Sequence, residues 1–331
     1  FFSVFNADAI SNVDVHKGTM PARYGGRISS VLDISLREGN RRETKVNGGI
    51  GLISARLTAE GPIVEDKSSF IISGRRTYID VITRPFVNNT SAAGSGYYFY
   101  DLNAKVNHRF SEKDEIFLSG YFGRDVFSFS SADAGFSTSI PWGNATASLR
   151  WNHLFNDKLF LNMSATYSDY DFSFVGTQEE FSFGFNSGIE DWSYKTALSY
   201  YPSPRHRIIT GVDYVFHEFM PTDYFAQSGD TPIDIGISGV TYSHESAVYI
   251  EDNFDINEKI RVSAGIRYSD FRHVGPFTRY GQDYTEPELI NYEKGELVKK
   301  YGGWEPRLSM RVTTGTNSSV KAGFSENYQY V

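Results

Sequence analysis

Histidine is the side chain best suited to bind a metal or move a proton near neutral pH, and the chain has seven: His16, His108, His153, His206, His217, His244 and His273. They are scattered, with no His-x-x-x-His pair and no flanking glutamate that would set two ligands on one face. Carboxylates gather at Asp169, Asp171, Glu179 and Glu180, and again at Asp223, Asp230 and Asp234. Their oxygens suit Ca²⁺, but the Asp-x-Asp-x-Asp-Gly spacing of a dedicated loop is missing, and they read as solvated loop charge. The chain has no cysteine, which removes thiolate metal sites and disulfides. No catalytic constellation emerges, so the chain is not read as an enzyme and no metal or cofactor is expected.

Rings are what the chain has in excess. Phe, Tyr and Trp make up 16% of it, more than a soluble protein of this size usually carries. They cluster at Tyr97, Tyr98, Phe99 and Tyr100; at Phe127, Phe129 and Phe136; at Phe181, Phe183 and Phe185; and at Tyr224 and Phe225. Such rings either settle at a membrane interface or line a vestibule where they stack on a sugar, a chelate or an apolar cofactor. Tyr98, Phe136, Phe183 and Tyr224 are the candidate outer ligand contacts. A net charge of −8 argues against nucleic acid as a partner.

The elements that carry these rings are strands. From about residue 43, apolar and polar residues alternate: Leu102, Ala104 and Val106 against Asn103, Lys105 and Asn107, Leu159, Leu161 and Met163 against Asn162 and Ser164, and Val262, Ala264 and Ile266 against Ser263 and Arg267. Mean hydropathy is −0.37, and no stretch offers the ~18 consecutive apolar residues of a spanning helix. Only a barrel, which pairs its backbone groups between strands, can take such a chain across a membrane. In a soluble sandwich the apolar face is the core; in a membrane barrel it meets lipid. On the barrel reading Leu149, Leu161, Ile266 and Met310 face outward, and Arg150, Asn162, Arg267 and Arg311 face the lumen.

Connection lengths separate the two. Short connections are expected at 64–67, 111–114, 156–158, 202–205, 257–259 and 314–318, and long ones near 80–96, 130–143, 174–191, 220–242 and 273–303. Short turns at one end and long loops at the other form the outer-membrane pattern, with the short ones periplasmic. Parity requires two strands between residues 43 and 63, with a tight hairpin near 51–54. The total is about thirteen strands.

Ahead of the first strand runs Val13-Asp14-Val15-His16-Lys17-Gly18-Thr19-Met20-Pro21-Ala22-Arg23-Tyr24-Gly25-Gly26-Arg27, followed by an Ile/Val-rich stretch to Leu36. Its Gly18, Pro21, Gly25 and Gly26 suit a turn that visits positive φ between two strands. The string resembles the end of the plug domain in TonB-dependent outer-membrane receptors, most of all those of Bacteroidetes-type bacteria. The stretches Tyr249-Ile250-Glu251-Asp252-Asn253-Phe254, Ala264-Gly265-Ile266-Arg267-Tyr268 and Trp304-Glu305-Pro306-Arg307-Leu308 also resemble that family.

The resemblance implies an all-β fold: a transmembrane antiparallel β-barrel, about 13 of about 22 strands, preceded by the plug end. Residues 1–40 are then the end of the plug and 41–331 the first part of the barrel. No signal peptide opens the chain at Phe1 and no closing motif ends it at Val331, so it is read as part of a longer protein. The resemblance further implies a bacterial outer-membrane location and active uptake of a large scarce nutrient such as a ferric siderophore, a corrinoid or an oligosaccharide. The partners it implies are outer-membrane lipid, the TonB-ExbB-ExbD complex, an extracellular ligand and a surface lipoprotein. No TonB box is present in these residues. A guanidinium inside a plugged lumen must find carboxylate or carbonyl partners, so Arg27, and after it Arg23, is expected to tie plug to wall, with Glu60 as one candidate partner.

Overall fold

The computed structural model describes residues 6–233, 239–280 and 289–331. A 3-10 turn at Ala7–Ala9 leads into β1 (Ile10–Lys17), which pairs antiparallel with β2 (Ser30–Leu36) as a separate two-stranded sheet. One large antiparallel sheet follows: β3 (Lys45–Ile50), β4 (Ser54–Val64), β5 (Ser68–Thr77), β6 (Gly96–Arg109), β7 (Asp114–Ser131), β8 (Phe136–Asn156), β9 (Leu159–Gln178), β10 (Phe181–Ser203) and β11 (His206–Ser228). The short β12 (Thr231–Ile233) folds back on the tip of β11. The sheet continues through β13 (Thr241–Asp255) and β14 (Ile260–Val274). After a small ribbon, β15 (Phe277–Tyr280) with β16 (Leu289–Tyr292), it resumes at β17 (Leu297–Gly315) and ends at β18 (Ser318–Ser325). Setting β12 aside, thirteen strands lie side by side in sequence order, as the alternation leads one to expect.

Burial along these strands is inverted relative to a soluble sheet. In β13, Glu245 and Glu251 are 8% and 1% exposed, whereas Val248 and Ile250 between them are 51% and 49% exposed. In β6, Asp101, Asn103, Lys105 and Asn107 are buried, while Leu102 and Val106 face out. The polar residues are covered because β1, β2 and their flanks lie against that face, here called the inner face. Leu149, Ile266 and Met310 are exposed on the opposite face and Arg267 is buried on the inner one, the arrangement of a protein whose outside solvent is apolar.

The short connections fall where expected, at one end of the sheet, and the 51–53 hairpin closes by Gly51 N–H donating to Ser54 O at 2.8 Å. Two of the long connections do not exist as loops. Strands β7 and β8 run on to a turn at 132–135, and β9 and β10 meet across Glu179 and Glu180 alone. The sequence conceals this because alternation persists there but the ring-bearing phase changes face, so polar and aromatic residues mingle as they do in a loop. The 80–96 connection contains a helix, α1 (Ile79–Val87), which the sequence does not announce: Pro85 lies inside it and Tyr78 at its N-cap makes no side-chain cap bond.

Candidate functional site

Residues 18–27 form a compact turn at one end of the β1–β2 hairpin. Gly18 and Gly26 hold φ of +78° and +72°, which favours glycine, and Tyr24 N–H donates to Pro21 O at 3.0 Å. The turn presents its carbonyls to the wall. The Arg307 guanidinium donates to Pro21 O at 2.6 Å, to Met20 O at 3.4 Å and to Tyr24 O, while its other nitrogen reaches Glu305 at 2.6 Å. Arg267 donates to Asp213 at 2.8 Å and to Ala22 O at 3.4 Å. Glu251 accepts from the Arg23 backbone N–H at 3.1 Å and from its guanidinium.

Arg267, Arg307, Glu251 and Glu305 are 3%, 4%, 1% and 0% exposed, so each charge depends on these partners rather than on water. Close approach explains Gly25 and gives a second reason for Gly26. A Cβ on Gly25 would strike the Arg267 guanidinium, with Cζ at 2.6 Å, and one on Gly26 would meet Glu245 Oε1 at 2.7 Å. Outside the strands, burial and a 2.5 Å hydrogen bond to Asp33 raise the pKa of the Tyr24 phenol above its usual value.

The open end of the hairpin is fixed to a different part of the wall. Arg37 pairs with Glu60 at 2.7 Å, Arg41 with Glu115, and Arg56 with Asp8 at 3.0 Å. Lys105 donates to Leu36 O at 2.9 Å, and Ser69 and Asn107 converge on Glu38 O at 2.6 and 2.7 Å. One end is therefore bound to β4–β7 and the other to β13–β17, with β8–β11 lying between.

Of the two expected tie residues, Arg23 makes the ion pair. Arg27 is exposed, and its hydrogen bond goes to Gly26 O at 2.6 Å within its own segment. The reversal at Gly26 turns the chain away from the wall before Arg27 is reached. Glu60 belongs to Arg37, not to Arg27. Glu251, Glu305 and Arg307 were not singled out by sequence, and Arg267 only as a lumen-facing residue, although all four lie in the family-like stretches quoted above. A signal was available for three of them: Arg267, Glu305 and Arg307 are charges at inner positions flanked on both sides by outward apolar or aromatic residues, whereas Glu251 has Ile250 on one side and Asp252 on the other.

The candidate aromatics divide. Tyr98 shares the outward phase of Leu102 and Val106, under Arg76 at 5.3 Å. Phe183 and Tyr224 lie on the inner phase in a chain of rings: Phe181–Phe183 at 6.1 Å, Phe183–Phe174 at 5.8 Å, Phe174–Phe185 at 5.6 Å and Phe185–Tyr224 at 6.0 Å. Phe136 is on the same face, two strands from Phe181, with Gln178 between them. His153 and His206 are each held by one carboxylate, Asp114 at 2.6 Å and Asp252 at 2.7 Å, whereas His217 lies between two, Asp191 at 2.6 Å and Glu245 at 3.7 Å. Among the described residues no group of three or more His, Asp or Glu could hold a metal; Asp234 lies outside them.

A family model described as TonB dependent receptor-like, beta-barrel, matches residues 76–329. The fold is similar to that of the alcaligin outer-membrane receptor FauA of Bordetella pertussis, with 12% identity over 98% of this chain and 50% of that one, at a TM-score of 0.66. It is also similar to the siderophore receptor PirA of Acinetobacter baumannii (16% identity, 98% and 48% covered, TM-score 0.65) and to the copper transporter OprC (13% identity, 94% and 49% covered, TM-score 0.65). The chain thus spans about half the length of these solved relatives. No curated protein matches the sequence. Barrels of this kind reside in the bacterial outer membrane, and the chain belongs to the TonB-dependent receptor family.

Proposed function

We propose that the chain is the plug end and the first thirteen barrel strands of a receptor that imports a large, scarce nutrient through the outer membrane. Residues 6–40 are read as the plug end, the outward apolar face as the lipid contact, and the TonB complex as the source of energy. The cargo comes from the range that includes ferric siderophores, corrinoids and oligosaccharides. The named relatives are a copper transporter and receptors for siderophores. No covalent step is assigned to any residue; the chain binds, holds and releases.

The observation that carries this reading is the double attachment of the N-terminal hairpin to the inner face. Each tie is a hydrogen bond or ion pair, and a charge-assisted bond contributes only ~1.5–3 kcal/mol net. A filling held this way obstructs a passive pore yet can rearrange stepwise when pulled. In cells carrying the full-length receptor, uptake should stop when TonB is deleted while surface binding of cargo remains. Uptake unchanged without TonB would mark a passive barrel.

A further inference from the structure

The outward face carries an apolar band and then turns polar. On β9 and β10 the change comes at Tyr167 and Trp192, whose rings lie 4.8 Å apart. Beyond them the outward positions hold Asp169, Asp171, Glu190, Asn186 and Ser182, and the rings of Phe174, Phe183 and Phe185 turn inward. On β6 and β7 the same edge passes through Phe122, Tyr100 and Tyr98, above which Ser128 and Ser130 face out. A line of rings between apolar and polar surface marks the interface of lipid with water.

Helix α1 breaks this rule: it lies on the outward side of the wall, yet the side it turns away from the wall is apolar. Two contacts fix its place. Gly96 shares the outward phase of Tyr98 and Leu102, and a Cβ built on it meets Asp80 Cβ at 3.4 Å. Arg76, directly opposite Tyr100 and so outward as well, pairs with Asp80 at 3.4 Å. The helix therefore begins two strand residues above Tyr98, about 5 Å along the axis for a strand tilted at about 40°. Ile79, Asp80, Thr83 and Val87 occupy its partly covered side. Val81, Ile82, Pro85 and Phe86 fill the opposite arc with no polar residue among them, and Arg84 stands at the edge of that arc. Val81, Ile82 and Phe86 are 48%, 44% and 75% exposed. The hairpin tip beside the helix, joined to it by Tyr78 N–H donating to Ile53 O at 2.9 Å, adds Leu52, 90% exposed.

We propose that α1 is an interfacial helix lying in the outer leaflet of the membrane, with Val81, Ile82, Pro85 and Phe86 among lipid acyl chains. A helix facing water on this side would carry polar residues there, as the wall beyond the ring line does. Continuity selects lipid as the occupant: the arc begins at the ring line that caps the apolar band, within the ~5–10 Å over which an interfacial helix buries its apolar face. Arg84, at the edge of the arc, can reach lipid phosphate while its stem stays in the apolar layer. Ile50, Ala55, Arg76 and Tyr100 are register partners across β3–β6, so β3–β5 stop near this row while β7–β11 run on beyond it. On that low side of the wall the helix and the hairpin tip continue the lipid contact where the strands end. The proposal rests on the reading of the outward face as the lipid contact and extends it to an element outside the sheet.

The test uses the full-length receptor in vesicles of phosphatidylcholine and phosphatidylglycerol, with a nitroxide attached in turn at Ile82→Cys and Phe86→Cys. Leu149→Cys, in the apolar band, and Gly229→Cys, at a strand tip, are the lipid and water references. Residues 1–331 supply no thiol of their own. Relaxation of each label is compared with oxygen, which concentrates in lipid, and with a water-soluble nickel chelate. Both helix positions should favour oxygen over the chelate about fivefold more than Gly229→Cys does, and so resemble Leu149→Cys. Helix labels that match Gly229→Cys would put α1 in water. Helix labels reached by neither agent would show the arc covered by protein, whether a second copy, another partner or a further part of the receptor. Either result overturns the proposal while leaving Leu149→Cys lipid-like. If Leu149→Cys itself met the chelate and not oxygen, the lipid reading of the whole outward face would fail, and the proposal with it.

Discussion

Arg307 holds three backbone carbonyls of one turn and a buried carboxylate at once, which makes it the residue whose loss should free the turn. Removing one partner of a buried pair costs on the order of 3–5 kcal/mol, because the other charge is left unpaired. Arg307→Met should therefore raise amide exchange across residues 18–27 by more than tenfold while β13 and β14 keep their protection. Unchanged exchange in the turn would place its anchorage elsewhere. Gly25→Val should do the same by a different route, forcing a side chain into the Arg267 guanidinium. The need for a close turn is readable in Tyr24-Gly25-Gly26, but which arginine beside it meets the wall is not. That choice depends on the +72° φ of Gly26 and on Glu251, more than two hundred residues downstream, where no local pattern relates the two.

Strands β6 and β14 and the lower part of β9 were legible because a period of two with one apolar face survives any tertiary context that keeps that face in lipid. The same rule fails above Trp192, where water lies outside and the rings turn inward, so residues 174–191 read as a loop and are strand. Helix α1 is hidden for another reason: nine residues containing a proline carry little intrinsic signal. Within the apolar band, Leu161→Arg should destabilise the folded barrel by ~2–4 kcal/mol, far more than Asn162→Ser on the inner face. Refolding equilibria of the full-length protein in lipid vesicles would compare them, and equal effects would contradict the assignment of faces.

The complete receptor should present the short turns to the periplasm and the tips of β9–β12 to the exterior. A tag inserted at Gly229 should be reached by antibody on intact cells and one at Asp157 should not; the reverse would invert the topology. On the proposed uptake reading, the hairpin bound to β4–β7 at one end and β13–β17 at the other must give way. Thr19 and Gly323 offer a lock: a Cβ built on Gly323 lies 3.0 Å from Thr19 Cβ, so the turn need retreat by only about 0.5–1 Å to reach the ~3.5–4.5 Å of a disulfide. In the Thr19→Cys/Gly323→Cys receptor, with the bond verified as closed, cargo should still bind at the cell surface, uptake should stop, and reduction should restore it. Full uptake through the closed bond would contradict the account, showing that this turn need not leave the wall for cargo to pass.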